Sequence, residues 1–79
     1  MTIIALSDYC NRWLAANKVY GIVVEVVEDH ESRKNGGVWV RLLRSNSDIE
    51  FDILYGPDYT LDGLDFMLAI GVSELNRRN

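Results

Sequence analysis

Residues 19–55 hold three stretches of strand-like sequence, 19–28, 38–44 and 48–55, separated by two polar breaks. The first is rich in valine and isoleucine, the third alternates almost perfectly, and strand parity divides each into two faces. In the first, Tyr20, Ile22, Val24 and Val26 lie on one side, with Gly21, Val23, Glu25 and Val27 on the other. In the second, Val38, Val40 and Leu42 oppose Trp39, Arg41 and Leu43. In the third, Ile49, Phe51, Ile53 and Tyr55 oppose Asp48, Glu50, Asp52 and Leu54. Residues 29–37 (DHESRKNGG) are polar or glycine and predict a loop or long hairpin turn; residues 45–47 predict a short one. Strands this short and this closely joined predict an antiparallel meander with one face on a core.

Helical periodicity flanks this block. Leu6, Cys10, Trp13, Leu14 and Asn17 recur at helical spacing, which predicts a first helix capped by Ser7, with Asp8 near its positive end. After the turn at Gly56-Pro57-Asp58-Tyr59, Thr60 caps a second stripe: Leu61, Leu64, Leu68, Gly71 and Leu75. Gly71 lowers helix propensity by about 1 kcal/mol relative to alanine, and lets the helix backbone lie against the sheet. The expected fold is therefore α+β, a single globular domain over residues 1–79. Its order is α-β-β-β-α, with a three-stranded antiparallel meander and two helices packed on one face.

Composition narrows the function class. At 79 residues there is room for one small core and no second domain. Cys10 is the single cysteine, so no internal disulfide can form, and a reducing, cytoplasmic setting is expected. The start (MTIIAL) has no basic region, and the longest charge-free apolar run, 66–73, is far short of the ~20 residues that span a bilayer, so neither a signal peptide nor membrane association is expected.

The net charge of −4 is unevenly placed. Residues 1–44 hold six basic and five acidic side chains; residues 45–79 hold seven acidic ones against Arg77 and Arg78, which is −5. A chain of this charge is not expected to grip a phosphate backbone directly. The α-β-β-β-α order matches that of double-stranded RNA-binding domains. Where those domains place lysines, at the start of the second helix, this chain has Asp58, Asp62 and Asp65, which repel RNA.

No catalytic motif stands out, and no enzyme activity, cofactor or metal is expected. Asp48, Glu50 and Asp52 put carboxylates at alternate positions, which reads as a solvated face partly neutralised by Arg41 across the hairpin. Residues 58–63 resemble the start of a calcium loop, but position 12 is Ala69 instead of glutamate. His30 reads as a solvated loop residue and Cys10 as a core hydrophobe. The informative residue is Trp39, which strand parity places away from the core beside Val23, Val27 and Leu43. Together with Arg41 and the carboxylates it resembles a protein-binding surface. The expected partner-binding set is Trp39, Arg41, Asp48, Glu50, Asp52, Asp58, Asp62 and Asp65. The expected role is a small acidic inhibitor whose carboxylates stand in for phosphates on a basic, nucleic-acid-binding partner. In size and charge it is similar to phage- or mobile-element-encoded inhibitors such as anti-CRISPR proteins. The alternative is a non-catalytic structural or assembly homodimer, joined through the Trp39 face or an edge strand.

Overall fold

The computed structural model describes residues 2–78. The chain runs α1 (Ile3–Ala16), β1 (Ile22–Val27), α2 (His30–Lys34), β2 (Val38–Arg44), β3 (Glu50–Tyr55) and α3 (Leu61–Arg77). The three strands form one antiparallel sheet in the order β1-β2-β3. α1 lies over β1, and α3 over β3 and β2, on the same face. The fold is thus the α+β meander expected, with a short additional helix in the first hairpin connection.

The buried core joins Leu6, Cys10 and Leu14 of α1 to Leu64, Leu68 and Leu75 of α3 across Ile22, Val40, Leu42 and Ile53 of the sheet. Gly71 makes the fit possible: a Cβ there would stand 2.6 Å from Leu42 Cδ1 and 2.8 Å from a Phe51 ring carbon. A hydrogen bond from Tyr9 Oη to Asp65 Oδ1 (2.6 Å) ties the two long helices together. Asp65 as acceptor, together with burial, pushes the Tyr9 hydroxyl up to about 12.

Four local expectations are corrected. Thr2, not Ser7, caps α1: its Oγ1 accepts the Ala5 N–H at 3.1 Å, so the helix starts before the apolar stripe does. Asp8 then sits in the second turn and pairs with Arg12 at 3.0 Å.

β1 begins at Ile22 instead of residue 19, and Tyr20 is 81% exposed instead of facing the core. The cause is the way α1 ends. Lys18 adopts a left-handed φ of 56°, so that Lys18 N–H reaches Ala15 O and Val19 N–H reaches Leu14 O. Gly21 follows with φ +78°, and only then does the chain extend.

The 29–37 segment holds α2. Asp29 caps it through the Ser32 N–H (2.8 Å), while the Ser32 hydroxyl accepts the Asp29 N–H (2.9 Å). Gly36, at φ +73°, ends it in the same hydrogen-bond pattern that closes α1. Finally, β3 begins at Glu50, leaving Asp48 in the turn, where Ser47 Oγ accepts the Ile49 N–H.

Candidate functional site

The face of the sheet turned away from α1 and α3 carries the odd-numbered residues of β1 and β2 and the even-numbered residues of β3. The register sorts them into three rungs. Val23, Leu43 and Glu50 form the first, Glu25, Arg41 and Asp52 the second, and Val27, Trp39 and Leu54 the third. Val23 and Leu43 on one side and Val27, Trp39 and Leu54 on the other therefore flank a charged patch of Glu25, Arg41, Asp52 and Glu50.

The charged patch is internally paired. Arg41 Nε lies 3.0 Å from Asp52 Oδ1 and 3.1 Å from Glu50 Oε2, with Glu25 opposite it on β1. Asp52, first by its hydrogen bond and then by its charge, holds the guanidinium more firmly protonated. Arg41 is thus committed within its own sheet. Three carboxylates against one guanidinium leave this face at −2.

Trp39 is fixed by α2. Its Nε1 donates to Asp29 Oδ1 at 3.2 Å, and that oxygen also accepts the Ser32 N–H. The Ser32 N–H, together with the Ser32 hydroxyl and the Trp39 indole, holds the Asp29 carboxyl below the usual carboxylate range. The ring is consequently oriented before any partner arrives. Sequence reading missed this link. Its only local signal is the spacing of Asp29 and Ser32 as a reciprocal cap.

Of the residues expected to form the binding surface, the structure brings together Trp39, Arg41, Glu50 and Asp52. It separates the others. Asp48 and Asp58 lie in turns, and Asp62 and Asp65 belong to α3 on the far side of the sheet, with Asp65 bonded to Tyr9. The acidity of the last 35 residues is therefore divided between two sides of the molecule.

Elsewhere, a cleft of about 520 Å³ opens between the start of α1 and the end of the first hairpin. Its charged groups, Glu28 and Arg33, approach each other to 3.6 Å. Cys10 is buried, and that burial pushes its thiol up to about 11, so it carries a proton at neutral pH. His30 is an exposed residue at the start of α2. Among the described residues, no group of His, Cys, Asp and Glu side chains is arranged to hold a metal ion, and no helix is long and apolar enough to cross a membrane. Comparison with family models, curated proteins and solved structures finds no match.

Proposed function

We propose that the chain is a small protein-binding module whose contact surface is the open face of the sheet. Its target class is a protein with a basic, nucleic-acid-binding surface, which it would block as an inhibitor of the phage-encoded kind. One observation carries the reading: a pre-oriented Trp39, flanked by Val27 and Leu54, stands next to a rung rich in carboxylates. Tryptophan is among the residues that most often anchor an interface centre, and carboxylates around such an anchor belong to the polar rim that steers a partner of opposite charge. The net −2 favours a cationic partner. A second copy on the same face would set −2 against −2, so the face supports a heterologous partner over self-association.

The test is binding to a panel of purified DNA- and RNA-binding proteins with basic faces, with nucleic acid as competitor. Trp39→Ala is expected to weaken a genuine complex by at least about 2 kcal/mol, roughly thirtyfold. Charge reversal of Glu50 and Asp52 together should slow association about tenfold at low salt. Substitution of Asp48, off the face, should leave both unchanged. Binding that survives Trp39→Ala and the double reversal would remove the sheet face from the reading.

A further inference from the structure

The outer surface of α3, turned away from the core, carries one continuous stripe: Asp62, Phe66, Ala69, Ile70, Ser73 and Arg77. The spacings of three and four residues put all six on one side of the helix, and all six are exposed. Phe66 is 66% exposed and Ile70 39%, so two large apolar side chains sit on the solvent side of the best-packed helix. That placement contributes nothing to the core, and the open sheet face does not use it.

The stripe is its own complement when a second copy runs antiparallel. With a twofold axis between positions 69 and 70, Asp62 faces the second copy's Arg77, Phe66 faces its Ser73, and Ile70 faces its Ala69. Every member of the stripe then meets another member. The ends pair opposite charges. In the middle, each large apolar side chain meets a small residue, which lets helices approach to the ordinary 8–10 Å. A parallel arrangement would instead set Asp62 on Asp62 and Arg77 on Arg77, and pack Phe66 against Phe66. Arg77 can turn to a partner without stranding a charge, because Glu74, its present ion-pair partner, is also held by Arg78 at 3.0 Å.

From this self-complementarity we infer that α3 is a homodimer surface, occupied by α3 of a second copy in antiparallel register. The inference is independent of the sheet-face reading, since the two surfaces lie on opposite sides of the molecule. A 17-residue helix is about 25 Å long, so the contact is smaller than a standard interface and the dimer is a weak one.

Sedimentation equilibrium of the whole chain from about 10 μM to 1 mM tests the inference. The wild type is expected to show a monomer–dimer equilibrium, and Phe66→Ser to raise Kd at least about tenfold. Ile70→Ser is the second apolar variant, and circular dichroism checks that both remain folded. Asp62→Lys and Arg77→Glu are each expected to weaken the dimer about three- to tenfold at low salt, and the double exchange to restore it to within about twofold. That rescue is specific to the antiparallel register. A wild type that stays monomeric at about 1 mM, a dimer indifferent to both apolar variants, or a double exchange weaker than either single change would overturn the inference. None of these outcomes bears on partner binding through Trp39, which is measured separately.

Discussion

Trp39 Nε1 donates to Asp29 Oδ1 across 3.2 Å, and so the aromatic of the open sheet face is anchored by the cap of a five-residue helix. A helix this short has little stability of its own. It persists because its first turn is closed by the Asp29–Ser32 exchange and its end by Gly36. The carboxylate of Asp29 joins these local bonds to the binding face.

Asp29→Ala is expected to lower the denaturation midpoint through loss of the cap, and to free the Trp39 ring. Asp29→Asn, which keeps an acceptor and is itself a good cap, should retain most of both. The two indole N–H resonances, of Trp13 and Trp39, distinguish the outcomes: only that of Trp39 should move. The folded carboxyl is held below its ordinary range, so this contribution is present at neutral pH. It is lost as pH falls through the depressed value. Acidification below the ordinary carboxylate range should therefore shift the Trp39 resonance as the alanine variant does.

Tyr9→Phe removes the hydroxyl that ties α1 to Asp65. The expected loss is about 1–2 kcal/mol in a denaturant titration, as for a hydrogen bond to a charged acceptor. In the intact protein the folded hydroxyl, at about 12, lies above its unfolded value of 10.0. Its stabilisation is complete below 10.0 and fades as pH rises through about 12. Ultraviolet titration should show Tyr9 ionising after an unperturbed tyrosine.

Gly71→Ala sets helix propensity against packing. Alanine would gain about 1 kcal/mol as a helix former. Its methyl, however, would sit against Leu42 and Phe51 at separations no real Cβ tolerates, and an overpacked core costs about 1–3 kcal/mol. Net destabilisation is expected. A rise in melting temperature would show that α3 can shift away from the sheet.

Lys18→Gly should stabilise the fold by about 0.5–1 kcal/mol, because Lys18 holds a left-handed backbone that glycine adopts without strain. The gain is read as a higher denaturation midpoint with an unchanged slope.

The strands and α3 were legible because their signals are redundant. Residues 48–53 alternate carboxylate and apolar side chains without interruption, and Thr60 stands directly before an unbroken helical stripe. The starts of α1 and β1 were not legible for a local reason. Thr2 and Ser7 are both competent caps, and the choice turns on Ile3 and Ile4, β-branched residues that serve a helix poorly in isolation. Strand parity places Tyr20 with the core residues, because nothing in a lysine announces a left-handed backbone at Lys18. On the binding face, strand parity found Trp39, Arg41, Glu50 and Asp52. It could not show that Asp62 and Asp65 lie across the sheet from them, because charge counted along a chain says nothing about which layer holds it.

Strand order in the sheet equals strand order in the chain. Each hairpin therefore closes only a short connection, with little entropy lost in closing it. The one long-range event left is to bring α1, at one end of the sequence, beside α3 at the other. Chains dominated by local contacts fold quickly. The slow part of this reaction should then be the meeting of the two helices over a formed meander. Substitutions at Tyr9 and Asp65 would mainly speed unfolding, while those in β2, which both hairpins share, would slow folding itself.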